Sequence, residues 1–369
     1  MNYKPKSARA VNQKRLPAIK LWLILRFYKF FMTSKFFRPL LFTVLCSAVL
    51  LCAVATSFAQ EDTLKIETTL VRLNIGAVDA KGGSITNLNR NDFTVYENDV
   101  KQTVSRFETT NAPFSLVMLL DVSGSTRGFR QLMAQSAIRF TDALAPEDRV
   151  AVIAFNNKTE VLVDFTSKQK DIYYAIGLVN ANSKSGETQL YKALDVALDK
   201  LKGEGNRRKA IVVLTDGIDT QLEADDRRVT GNAKTAEDAL ALIKPDTNQR
   251  LKTMLDAADR QGVTIYPLGL PSGDPKRLPD PLPFQLARYT AARERLQVVA
   301  NRTGGSFNAI NRLEDMGRLY ASVAAEIRTL YTVEYQSTSD APRGKWRTIR
   351  IEVNRPEVIA KTRPGYFAR

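Results

Sequence analysis

Residues 114–125 read FSLVMLLDVSGS: seven uncharged residues, Phe114 to Leu120, and then Asp121-Val122-Ser123-Gly124-Ser125. A continuous apolar run without polar alternation fits a strand buried on both faces, as at the centre of a parallel sheet. The switch to Asp, Ser and Gly marks its carboxyl end, the edge at which open α/β sheets place ligands.

Outward from this strand, short apolar runs alternate with helical patterns. Strands are expected at Val150–Phe155, Val161–Phe165, Ala210–Leu214 and Val263–Leu268. Helices are expected at Gln131–Leu144, Gln169–Leu178, Leu190–Leu201, Thr253–Arg260, Leu286–Asn301 and Asp315–Thr329. Repeated strand-helix units predict an α/β fold with a doubly wound, mostly parallel, Rossmann-like sheet. Residues 61–111 and 332–369 have a different period. Val71, Leu73, Ile75 and Ala77 alternate with Arg72, Asn74 and Gly76, and Ile349, Ile351 and Val353 alternate in WRTIRIEV (346–353). Neither end holds a core alone, so the two are expected to combine as a small β-sandwich flanking the 112–331 domain. The charged stretch near 221–248 reads as a solvated insertion, Pro271–Pro283 as a stiff exposed loop, and the cations of Arg343–Arg350 as the solvent face of a strand.

The chain has 369 residues and a formal charge of +15, from 54 Lys and Arg against 39 Asp and Glu. Ten of those cations fall in residues 1–60, which hold no carboxylate, leaving 44 against 39 in the remainder. The excess is therefore a topology signal rather than a nucleic-acid surface. From Met32, a basic stretch is followed by an apolar run, Leu40–Ala55, and by Ser57-Phe58-Ala59, a pattern suited to signal peptidase. Residues 1–60 are expected to be a signal peptide, with Met1 or Met32 as the start, or an uncleaved anchor, since Leu40–Ala59 is long enough to span a bilayer. The product is expected outside the cytoplasm, periplasmic or extracellular, touching a membrane only through that segment.

The sequence has 0 His, and its two cysteines, Cys46 and Cys52, lie within the apolar N-terminal run. This excludes His-based triads and His-ligated zinc, and leaves the exported part without disulfides or Cys-held metals. No phosphate-binding glycine motif is present, since Lys81-Gly82-Gly83-Ser84 lacks the spacing. The remaining chemistry is that of hydroxyls and carboxylates. Three clusters of these fall at or near expected strand ends: Asp121-x-Ser123-x-Ser125, Ser185-Gly186-Glu187-Thr188, and Thr215-Asp216-Gly217. Such hard ligands suit Mg²⁺, Mn²⁺ or Ca²⁺. Gly124 is expected to permit the sharp backbone path of the first cluster. Taken singly, Ser123 and Ser125 are also readable as helix caps and Asp216-Gly217 as an ordinary strand-end turn, while Asp219 reads as a turn residue rather than a ligand.

Asp121-x-Ser123-x-Ser125 with Thr188 and Asp216, in this order and within FSLVMLLDVSGS, ETQLYKAL and IVVLTDGIDT, resembles the metal-ion-dependent adhesion site of the von Willebrand factor A (VWA) domain, over Pro113–Tyr331. The flanking β pieces are similar to those of the bacterial exported VWFA-related family. The resemblance implies that Ser123, Ser125 and Thr188 meet the ion through hydroxyls. It implies that Asp121 and Asp216 act directly or through water, and that a protein partner adds an acidic side chain. Family members often carry glycine where Glu187 stands, and the extra carboxylate bears on affinity. The expected function is metal-dependent protein binding or adhesion, not catalysis. The alternatives are a structural part of a cell-envelope complex, or a metal-assisted hydrolase for which Glu187 is the one spare base.

Overall fold

In the computed structural model, which describes residues 70–81, 83–179, 187–339 and 342–368, the run Phe114–Asp121 is a strand with all eight residues buried. The N-terminal segment with Cys46 and Cys52, and Ser185-Gly186, lie outside the described residues. Four strands precede that run: β1 (Leu70–Val78), β2 (Phe93–Glu97), β3 (Val100–Gln102) and β4 (Val104–Glu108). The run itself is β5, followed by α1 (Arg130–Asp142), β6 (Arg149–Phe155), β7 (Thr159–Thr166), α2 (Gln169–Leu178) and α3 (Leu190–Lys202). Then come β8 (Arg208–Thr215), α4 (Thr220–Thr230), α5 (Ala236–Ile243), α6 (Gln249–Gln261), β9 (Val263–Gly269) and α7 (Pro283–Thr303). The last elements are β10 (Asn308–Ala309), α8 (Met316–Arg328), β11 (Leu330–Gln336), β12 (Trp346–Val353), β13 (Ile359–Lys361) and β14 (Gly365–Phe367).

Six strands form the central sheet in the order β10-β9-β8-β5-β6-β7, parallel except for β7, which runs antiparallel at the edge. Side chains alternate across a strand, so β5 feeds two cores. Leu116, Met118 and Leu120 pack with α1 and α8 through Met133, Phe140, Tyr320 and Val323. Val117 and Leu119 pack with α3, α6 and α7 through Leu194, Leu251 and Leu296. Helices therefore cover both faces, the doubly wound arrangement. Pairing of Leu120 with Leu214, Asp121 with Phe155 and Thr215 with Gly269 brings the carboxyl ends of β5, β6, β8 and β9 to one level.

The chain ends build two four-stranded sheets, β13-β1-β11-β4 and β14-β12-β2-β3, that share one core. Val71, Leu73 and Ile75 of β1 stand opposite Tyr335, Val333 and Tyr331 of β11 and face Phe93, Val95 and Ile349 of the second sheet. The other face of β1 is not solvated, because it packs on the α/β part. Asn74 Nδ2 donates to Gly262 O (3.0 Å) and Thr264 Oγ1 (2.9 Å), and Arg72 pairs with Glu334 at 2.8 Å. Gly262 ends α6 at φ +62°, and a Cβ there would lie 2.8 Å from the Arg72 side chain, so both conformation and space ask for glycine.

Three expectations are revised. Arg347 is buried rather than on a solvent face. It shares the inward parity of Ile349 and pairs with the fully buried Glu97 at 3.2 Å, whose carboxylate also accepts from Tyr335, Ser337 and Tyr366 hydroxyls. The 221–248 stretch is mostly helical, with buried Leu222 and Asp226 on α4. In the 271–283 loop, Pro271 and Ser272 turn inward instead of being exposed.

Candidate metal centre

The loop after β5 is held from inside. Thr126 Oγ1 donates to the carbonyls of Asp121 (2.8 Å) and Ser123 (3.0 Å), and Arg130 Nη2 donates to those of Val122 (2.5 Å) and Ser123 (3.1 Å). No side chain caps α1 or the 3₁₀ turn before it, so Ser123 and Ser125 are not helix caps. Their hydroxyls instead meet each other at 3.1 Å, and Ser125 Oγ donates to Asp216 Oδ2 at 2.7 Å. Asp121 Oδ1 accepts from the Ser123 amide (2.9 Å) and its Oδ2 from Thr215 Oγ1 (2.7 Å), the residue beside Asp216. Asp121, Ser123, Ser125 and Asp216 are thus gathered into one hydrogen-bonded group where β5 and β8 end. Ser123 is buried and Ser125 is exposed, which opens the group to solvent on one side.

Thr188 is brought to the neighbouring loop. Its amide donates to Thr220 Oγ1 (2.8 Å) and its carbonyl accepts from the Thr220 amide (2.9 Å), four residues beyond Asp216. No hydrogen bond joins its hydroxyl to the other four residues. Asp219, expected as a turn residue, caps α4 through the amides of Gln221 (3.0 Å) and Leu222 (3.2 Å) and accepts from the Tyr191 amide, so the loops carrying Thr188 and Asp216 are fixed together. The positive-φ glycine here is Gly217 (φ +85°), not Gly124. Glu187 is exposed beside Thr188.

Sequence reasoning missed Ser272. This buried side chain, in the loop after β9, donates to Asp216 Oδ2 at 3.0 Å. Its position beyond the carboxyl end of a parallel strand was the available signal, masked by the surrounding prolines.

Asp121 is 0% exposed and Asp216 1% exposed, and neither has an ion-pair partner among the described residues. Burial first, and then repulsion from Asp216, pushes the Asp121 carboxyl up to about 7. Burial likewise raises Asp216, against hydrogen bonds from Ser125, Ile218 and Ser272. Two buried carboxylates in this state need a proton or a cation. Among the described residues no group of three or more His, Cys, Asp or Glu is placed to hold a metal ion; the two carboxylates with the hydroxyls beside them are a donor set that fits a hard divalent ion.

Residues 116–218 match the family model of the von Willebrand factor type A domain. No curated protein matches the sequence significantly. Among solved structures, the chain is similar to an aerotolerance-related membrane protein of Bacteroides fragilis at 15% identity, over 58% of this chain and 98% of that one, with a TM-score of 0.38. It is similar to the vWF domain of the type V pili tip protein Mfa5 of Porphyromonas gingivalis at 15% identity, over 58% and 95%, with a TM-score of 0.42. A third likeness is to mussel byssus proximal thread matrix protein 1 with a zinc-occupied MIDAS motif, at 16% identity, over 61% of this chain but 48% of that protein, with a TM-score of 0.39.

Proposed function

We propose that this chain, whose residues 116–218 match the von Willebrand factor type A domain, is an exported, non-enzymatic module that binds a protein partner through a divalent ion. Ser123, Ser125 and Thr188 would hold the ion through their hydroxyls, with Asp121 and Asp216 acting directly or through water. Mg²⁺ is the ion of choice, with Mn²⁺ or Ca²⁺ as substitutes, and when bound it supplies a coordination position open to an acidic side chain of the partner.

The observation that carries this reading is the pair of fully buried carboxylates with no salt bridge among the described residues, joined by serine hydroxyls that reach solvent at Ser125. Asp121 and Asp216 supply charge, the two serines supply neutral ligands, and Thr126 and Arg130 fix the loop that presents them. So few charges around a divalent ion leave it attractive to one more carboxylate. Export is supported by the N-terminal sequence pattern, and the described residues contain no helix long and apolar enough to cross a membrane.

The test is affinity capture from the native envelope with and without Mg²⁺, using wild type and Asp121→Ala, alongside calorimetric titration of Mg²⁺. Partner capture and Mg²⁺ binding should both vanish in Asp121→Ala while the domain stays folded. A partner whose capture survives the substitution and chelation sinks the proposal, and a metal-dependent melting temperature without metal-dependent capture favours a structural role.

A further inference from the structure

A groove of about 520 Å³ lies beside the ion site, between the 271–282 loop and α7. That volume is in the range of ligand clefts, about 300–1,000 Å³. One wall is Pro271, whose neighbour Ser272 donates to Asp216 at 3.0 Å. On the other side is Arg293, half-buried between the rings of Tyr289 and Phe307, whose centroids lie 5.3 and 5.5 Å from its guanidinium carbon.

The donors of Arg293 are only partly used. Nη1 donates to Leu270 O (3.0 Å) and Tyr289 Oη (3.2 Å), and Nη2 to Gly269 O at 3.4 Å. All three partners are neutral, and among the described residues Arg293 pairs with no carboxylate. An arginine has five N–H donors, so Nε–H and one Nη2–H remain, the edge of the guanidinium that matches the two oxygens of a carboxylate. The two acidic residues of the lining do not fill this role. Asp274 accepts from the Lys276 amide at 3.0 Å, and Glu294 is exposed at the rim.

We propose that this groove is a second subsite for the partner's acidic segment: one carboxylate of the segment meets the ion, and another, a few residues along, pairs with Arg293. The proposal rests on the metal-dependent reading for the first contact, while the second is a property of the groove alone. Leu270 and Ser272 are two residues apart, so their backbone spans at most about 7 Å, and with side chains and hydrogen bonds Arg293 and Asp216 lie within roughly 18 Å. An extended peptide covers that in about five residues. Aromatic walls lower the local dielectric and strengthen the ion pair.

The probes are peptides acetyl-Glu-(Gly)n-Glu-amide, with one to four glycines, and their counterparts with the second Glu replaced by Gln. They are titrated into the full chain in Mg²⁺ and in EDTA, with affinity and the Arg293 Nε–H nuclear magnetic resonance signal followed together. The expected result is that at one spacing the two-acid peptide binds about tenfold tighter in Mg²⁺, and that this advantage is lost in Arg293→Lys, which has no planar fork. The two-acid peptide should also move the wild-type Nε–H signal in EDTA, a readout that needs no variant to fold. Equal affinities at every spacing with an unmoved signal overturn the subsite. A signal that moves in EDTA while no peptide gains from Mg²⁺ supports the subsite and overturns the ion reading instead.

Discussion

Asp121 sets the behaviour of the metal-free protein. Its carboxyl, at about 7 against an ordinary 3.8, keeps a proton in the fold that the unfolded chain has already released. Between those values the folded state binds more protons, so the stability this group contributes is lost as pH rises from about 4 to 7, by at most about 1.4 kcal/mol per pH unit. In EDTA the melting temperature should fall across that window, and saturating Mg²⁺, which selects the ionised carboxylates, should remove the fall. Asp121→Asn should flatten the slope in EDTA, and a wild-type melting temperature that rises across the window would contradict this account. Ser272 acts at one remove. Ser272→Ala takes away one of the two hydroxyl donors on Asp216 Oδ2 and should weaken Mg²⁺ binding about tenfold at little loss of stability, as read by calorimetric titration. The contrast between these residues shows what sequence conveys. Asp121, Ser123 and Ser125 are legible because a carboxylate and two hydroxyls sit at alternate positions directly after a buried strand. Ser272 is a single hydroxyl among prolines, whose role appears only when β9 is laid beside β8.

At the scale of elements, α4 shows where a charge pattern misleads. Its sequence, TQLEADDRRVT, has mean polarity high enough to suggest a solvated excursion, yet the helix docks on α7. Asp226 forms a bidentate pair with Arg295, at 2.8 and 2.6 Å, with side chains only 4–5% exposed. A charged residue inside a helix is recognisable as buried only when its partner, here 69 residues away, is known. Arg347 is the same case in a strand, since its parity with Ile349 pointed inward while its charge pointed out. Strands β5, β6, β8 and β9 were legible because burial on both faces leaves nothing but apolar residues, and that pattern needs no knowledge of the partner. For the α4 pair, Arg295→Ala leaves Asp226 buried and uncompensated, and should destabilise the fold by about 3–5 kcal/mol in denaturant titration. Replacing both residues with leucine should recover most of that loss, because the desolvation of two charges disappears with them. A double variant as unstable as the single would show that the pair itself, not the orphaned charge, carries the effect.

Across the whole molecule, the α/β sheet and the sandwich are fastened at points the two sequence periods do not reveal. The described residues from 70 onward belong to one compact unit. Asp259, at the end of α6, accepts from Arg302 of α7 at 2.8 Å and from Arg363, just before β14, at 3.2 Å; Arg363 also donates to Asp259 O (2.7 Å) and Arg72 O (3.1 Å). Arg302 stacks on Trp346 at 4.3 Å and donates to Gly365 O at 2.8 Å, so one carboxylate anchors α6, α7 and both ends of the sandwich. β11 follows α8 after a single residue, and Arg208 at the start of β8 donates to Leu330 O at 2.7 Å, which ties an inner strand of one sandwich sheet to the base of the α/β sheet. With β1 buried on both faces, neither half has a complete surface of its own. Thermal unfolding of the protein lacking residues 1–60 should therefore give one calorimetric transition, with equal calorimetric and van't Hoff enthalpies. Asp259→Ala, which removes the one carboxylate paired with both Arg302 and Arg363, should lower that transition by several degrees while keeping it single. Two separated transitions in the parent protein would mean that the sandwich and the sheet fold independently, and that the buried Asp259 cluster only decorates their contact.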